Sequence, residues 1–230
     1  SVADIGFSPD GAPHLIDYHL VMGCWMVVAF ITGLYLLNVF RLPHDTPTDS
    51  IGPLSCLFSL GFFGLAAYIG VGMFSATPPT GQLWQQVVSF APPQINVSAS
   101  DAGYFSEHDG LAYDLDFDSA VQTASESNKP LFLDFTGVTC TNCRLMENNI
   151  LSKQPIHEVL KDLVRAQLYT DTVPGVEAAT ASTRLLKRNK DLQKDWLKTQ
   201  GLPVYVIATP DGKEELARFA GMDHSNGKEF

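Results

Sequence analysis

Two long stretches without a single charged residue, Leu20–Phe40 and Ile51–Ala76, constrain this chain more than any other feature. They run for 21 and 26 residues, and about 20 apolar residues suffice to carry a helix across the hydrocarbon core of a bilayer. As buried core helices they would need a large soluble shell, which a chain of 230 residues lacks. The expectation is a hairpin of two transmembrane helices, 20–40 and 51–76, preceded by a lead-in over residues 1–19. No basic segment precedes the first run, so it does not read as a signal peptide. Arg41, between the runs, is the first Lys or Arg of the chain and the next is Lys129. An excess of positive charge marks the cytoplasmic side, so this loop is expected inside and both ends of the chain outside. The acidic residues Asp4, Asp10 and Asp17 and the stretch from Asp101 to Glu126 are compatible with export.

Small residues within the runs (Gly23, Gly33, Gly61, Gly64, Ala67, Gly70 and Gly72) let membrane helices approach closely. Tyr35 and Tyr68 are expected to pack. Cys24 and Cys56 lie near the N-terminal ends of their own helices, which face opposite membrane surfaces in a hairpin. Roughly 15 Å of depth would separate them at the helical rise, and a disulfide needs Cα atoms within about 7 Å, so they are not expected to pair.

Residues 77–114 read as a linker. Pro78-Pro79 and Pro92-Pro93 bracket Leu83–Phe90, a candidate interfacial helix with Trp84 at headgroup level. Asn96–Asp114, rich in Ser, Gly and Asp, reads as a flexible tether. A net charge of −10 argues against nucleic acid as a partner.

From Leu115 to Phe230 the pattern is that of a soluble α/β domain. Asp116 or Asp118 would cap a helix reaching Ser127, and Pro130 introduces an apolar strand, Leu131–Phe135. A turn of helix over Pro155–Lys161, a strand over Leu163–Tyr169 and a helix over Thr180–Thr199 follow. Val204–Ala208 and Glu215–Phe219 then form a hairpin around Pro210-Asp-Gly-Lys213. Directly after the apolar strand comes Cys140-Thr-Asn-Cys143. Two cysteines so spaced, where a strand gives way to a helix, read as a redox pair. The helix N-terminus favours a thiolate at Cys140, and Cys143, one turn on, can resolve a mixed disulfide. A zinc site would have only half of its ligands here, and a structural bridge across so short a loop constrains little chain. The basic helix carrying Arg184, Lys187, Arg188, Lys190, Lys194 and Lys198 reads as a solvated face rather than a site for anionic lipid.

Asp134-Phe-Thr-Gly-Val-Thr-Cys140-Thr-Asn-Cys143-Arg-Leu-Met-Glu147, together with Arg41-Leu-Pro-His-Asp45 and the flanking spans, resembles the C-terminal part of the DsbD-type thiol:disulfide interchange proteins. The resemblance implies an α/β thioredoxin-like domain tethered to a two-helix transmembrane hairpin. In that family a helical bundle passes electrons from the cytoplasm to a periplasmic thioredoxin-like domain. By the same resemblance Asp134 is the buried carboxylate that exchanges a proton with the resolving thiol, and Glu147 is a second acidic residue near it. Its position between Leu133 and Phe135 separately favours burial of Asp134. Pro203 matches the cis-proline loop facing the redox pair, with Leu202 offering backbone to a substrate strand.

The chain departs from the family's pattern in several places. Thr141-Asn142 has no proline, and Thr139 stands where tryptophan is common. A final helix after Asp223 and the earlier transmembrane helices are expected but not present, which reads as a fragment or one part of a split system. The expected function is a protein-disulfide reductase of the bacterial inner membrane, its redox domain in the periplasm. It would use no cofactor beyond the Cys140–Cys143 disulfide. Its partners would be transmembrane electron-donor helices or a donor subunit, exported disulfide-containing proteins, and membrane lipid. A thiol oxidase or isomerase is the alternative, and a Cu(I)-binding assembly module a more distant one.

Overall fold

The computed structural model describes residues 18–45, 50–79, 81–92, 95, 97–100, 103–176 and 179–230. Asp4, Asp10, Asp17 and Asp101 lie outside the described residues. The chain divides into two compact units, one of helices up to Trp84 and one over residues 85–230.

The first unit is built from α1 (Tyr18–Leu36) and α2 (Pro53–Phe74). Both are long and apolar enough to cross a membrane. Pro53 occupies the opening turn of α2, where its missing N–H leaves no bond unmade. The helices pack antiparallel, and small residues set their spacing. A Cβ on Gly33 would lie 2.7 Å from the Phe63 ring, and one on Gly70 would lie 3.2 Å from Met26 Sδ. The Ser59 hydroxyl donates to the Gly33 carbonyl at 2.9 Å, which satisfies a buried polar group inside the pair. Gly61 and Gly64 face open space instead, so the close approach uses only part of the small-residue pattern. Cys24 and Cys56 form no disulfide.

One aromatic expectation changes. Tyr35 does not simply pack: its hydroxyl donates to Asp45 Oδ1 at 3.1 Å, and Asp45 Oδ2 accepts the Leu42 N–H. Its polar tip is used to tie the end of α1 to the following loop. Trp84, in α3 (Gln82–Phe90), is buried edge-on against Tyr68 and lies against Gly72. A Cβ on Gly72 would come within 1.8 Å of the indole, so the absence of a side chain is what admits the ring.

The second unit is a seven-stranded sheet in the order β1-β2-β3-β5-β4-β6-β7. The strands are β1 (Val97–Ser100), β2 (Gly103–His108), β3 (Leu111–Asp114), β4 (Leu131–Thr136), β5 (Val164–Tyr169), β6 (Val204–Ala208) and β7 (Glu215–Ala220). The expected tether Asn96–Asp114 is therefore a correction: it holds three strands that extend the sheet. Asp109 and Gly110 both have positive φ and join β2 to β3 in a two-residue turn, with His108 opposite Leu111. That Asp-Gly turn is a hairpin signal hidden in a segment of loop-like composition.

All six residues of β4 are buried, and it lies between parallel β5 and antiparallel β6. Leu131, Leu133 and Phe135 point to one face, into a cluster with Phe117, Ala120, Ala124, Leu168 and Val206. Phe132 points to the other, into a cluster with Tyr113, Met146, Ile150, Leu160 and Tyr205. The period of two along a strand puts Asp134 on the face of Phe132. Helix α4 (Phe117–Ser127) starts at Asp116, whose carboxylate accepts the Asp118 N–H, and stops at Asn128 in the left-handed conformation. Helix α5 (Thr141–Met146) widens into a π turn over Glu147–Leu151, and α6 (Gln154–Lys161) follows. Helix α7 (Ala179–Leu192) widens likewise over Gln193–Leu197. Arg184 and Arg188 on α7 pair with Asp116 and Asp118, so this part of the basic helix is not merely solvated. Residues 221–230 run as turns and a coil, and the Phe230 ring packs on Tyr205 and Phe219.

Candidate redox site

The chain leaves β4 at Thr136, turns through Gly137–Thr139 and enters α5 with Cys140 as its N-cap. Cys140 and Cys143 are joined in a disulfide, with an S–S distance of 2.05 Å. The Cys143 N–H points at Cys140 Sγ across 3.1 Å. Such an N–H, together with the helix dipole, favours a thiolate at that sulfur once the bond is reduced. Cys140 is partly exposed and Cys143 is wholly buried. An incoming thiol or disulfide therefore reaches Cys140, while Cys143 reacts only with what Cys140 has already bound.

Asp134 is fully buried in the middle of β4, where it stands opposite Gln167 of β5 and Tyr205 of β6. Gln167 Nε2 donates to Asp134 Oδ2 at 3.3 Å and to Glu147 Oε1 at 3.1 Å. The amide is held in that orientation from behind, because its Oε1 accepts hydroxyls from Ser106 at 2.7 Å and Tyr169 at 3.0 Å. Thr136 Oγ1 adds a second donor to Glu147 Oε1 at 3.2 Å. One glutamine thus links the two carboxylates singled out in the sequence. Burial pushes the Asp134 carboxyl well above the ordinary aspartate range, the nearby Glu147 charge pushes it further, and the Gln167 hydrogen bond only partly opposes this. Asp134 Oδ1 and Tyr205 Oη have no hydrogen-bond partner among the described residues.

The Glu147 carboxylate is turned inward and bonded. Arg144, one residue after Cys143, sends its guanidinium to the Val138 carbonyl at 2.5 Å and to the Ser89 carbonyl at 2.7 Å. The Leu202–Pro203 peptide is cis and leads into β6, the neighbour of β4; Leu202 packs against the core. Gln167, Thr136, Arg144 and the hydroxyls of Ser106 and Tyr169 were missed in the sequence. The only trace of Gln167 is parity, since a polar residue in β5 shares the inward face with Asp134.

The site belongs to a thioredoxin-like domain. Residues 117–226 match the family model described as thioredoxin-like domain. Among solved structures, a chain described as DsbH oxidoreductase is similar at 25% identity and a TM-score of 0.41, covering 52% of this chain and 78% of that one. No curated protein matches the chain. Fold and residues together define a thiol:disulfide oxidoreductase-like domain whose redox centre is the Cys140–Cys143 disulfide.

Proposed function

We propose that this protein is a membrane-anchored protein-disulfide reductase of DsbD type, acting on exported proteins. The observation that carries this reading is the buried Asp134, held by Gln167 on the sheet face packed under the redox helix. A carboxyl with a raised proton affinity is suited to take a proton from a buried resolving thiol and return it. In the reaction, the Cys140 thiolate attacks a client disulfide and releases one client thiolate, which takes a proton from water. Cys143 gives its proton to Asp134, and its thiolate attacks Cys140 Sγ. The second client sulfur leaves as a thiolate and is protonated, and the Cys140–Cys143 disulfide remains. Two electrons and two protons pass to the client in each cycle.

The two apolar helices act as the anchor, with Arg41 on the cytoplasmic side and the redox domain in the periplasm of a bacterium. Electrons then come from transmembrane donor helices or a donor subunit, and Leu202 and Pro203 offer an edge for the client backbone.

Acid quenching and alkylation in growing cells tests the direction of electron flow. A reductase keeps Cys140 and Cys143 mostly as thiols, and Cys143→Ser accumulates mixed disulfides through Cys140. A pair found mostly oxidised in wild-type cells would point to a thiol oxidase and sink the reductase reading.

A further inference from the structure

Asp171, two residues past the end of β5, takes no part in the chemistry above, yet its carboxylate is saturated with donors, three of the four from the turn that presents Cys140. Oδ1 accepts the N–H of Val138 at 2.9 Å and that of Thr172 at 2.6 Å. Oδ2 accepts the N–H of Thr139 at 2.8 Å and its hydroxyl at 2.9 Å. A carboxylate has about four lone-pair sites, and all are used. Gly137 leaves room for the clasp, because a Cβ there would sit 3.0 Å from Asp171 Oδ2. The opposite side of the turn is held by Arg144 Nη1 on the Val138 carbonyl and by the Cys140 N–H on the Gly137 carbonyl, at 3.0 Å. The segment between β4 and α5 is thus gripped through its N–H groups by an anion and through a carbonyl by a cation.

Two consequences follow for Cys140. The N–H groups of Val138 and Thr139 are occupied, so they cannot turn toward the sulfur. A formal negative charge is also bonded to the residue directly before the nucleophile. A like charge at close range disfavours a thiolate. We propose that Asp171 is a positioning residue for Cys140, fixing the Gly137–Thr139 turn and disfavouring the free thiolate at its end. Wherever the thiolate is populated, this moves the equilibrium toward the disulfide and makes the dithiol a stronger electron donor, since a stabilised reduced form is what makes such pairs oxidising. The other charged groups around the turn are Arg144, of opposite sign, and Glu147 and Asp134 behind it; these and Asp171 all act on the buried Tyr169 hydroxyl, whose proton burial already holds tightly. This assignment rests on the disulfide-exchange reading of the site.

The test uses the full chain in lipid nanodiscs. Asp171→Asn keeps the size but turns an NH2 group toward two of the four donors and removes the charge. Asp171→Ser, which retains one acceptor, serves the same comparison if the first variant loosens the fold. The readouts are the pH midpoint of Cys140 alkylation and the equilibrium with a glutathione buffer above that midpoint. The midpoint is expected to fall, and the equilibrium to shift toward the dithiol about tenfold for each pH unit of that fall, by roughly threefold at least. A midpoint and an equilibrium both within about twofold of wild type, whatever happens to thermal stability, overturn the proposal and leave Asp171 a structural residue. Failure of the wild-type pair to exchange with glutathione at all removes the redox reading itself, and this proposal with it.

Discussion

Replacing Asp134 by Asn separates the electrostatics of the site from its packing. The substitution keeps the shape of the side chain and its acceptor for Gln167 Nε2, and it places an NH2 group where Asp134 Oδ1 has no partner. The offset between the two proteins at acid pH is therefore limited to the cost of one buried unsatisfied donor, about 1–3 kcal/mol. The pH dependence is sharper. Burial and the Glu147 charge raise the folded-state pKa of Asp134 well above its reference value of 3.8. Below that reference value both the folded and unfolded chains carry the proton, and the contribution to stability is intact. As pH rises, the unfolded chain ionises first. The wild type then loses about 1.4 kcal/mol per pH unit relative to the variant, until the folded carboxyl itself ionises and the difference levels off. The Asn variant has no such group and no such loss. Urea unfolding of the oxidised protein, followed by the emission of Trp196 against Phe117, measures this from about pH 4 upward. Carboxylates other than Glu147, which shares Gln167 with Asp134, titrate alike in both proteins and cancel in the difference. A difference that stays flat with pH would falsify the reasoning, because it would mean that Asp134 is as easily ionised in the fold as out of it.

Two structural predictions concern single contacts. Gly72→Ala places a methyl inside the Trp84 ring position and should cost about 1–3 kcal/mol by overpacking, with Trp84 emission moving to the red; an unshifted spectrum and an unchanged melting temperature would mean that the ring does not lie on Gly72. Asp116→Ala removes the N-cap of α4, worth about 0.5–2 kcal/mol, and also the Arg184 pair. Arg184→Ala removes only an exposed ion pair, worth about 1 kcal/mol or less, so thermal unfolding should rank the aspartate change as the more damaging, and the reverse order would show that the cap contributes little.

Local patterns in the sequence were enough for the elements whose physics is local. Long uncharged runs announce the two apolar helices, because length and hydropathy need no partner to be read. The strand at Leu131–Phe135, the capped helix after Asp116 and the Cys140–Cys143 pair at a helix start follow from an apolar run, capping and spacing. The strands between Val97 and Asp114 were not legible in this way: Ser, Gly and Asp make poor strands alone, and these segments are stabilised by pairing with β5 and with one another. The site divides along the same line. Cys140, Cys143, Asp134 and Glu147 fall within one span of 14 residues and could be singled out along the chain. Gln167 and Asp171 come from the far side of a crossover, after α6. Only the parallel register of β4 and β5, Asp134 beside Gln167 and Thr136 beside Tyr169, brings an amide between the two carboxylates and a third carboxylate under the Cys140 turn. Spacing along the chain carries no information about that register, which is decided by the burial of both strands in one core.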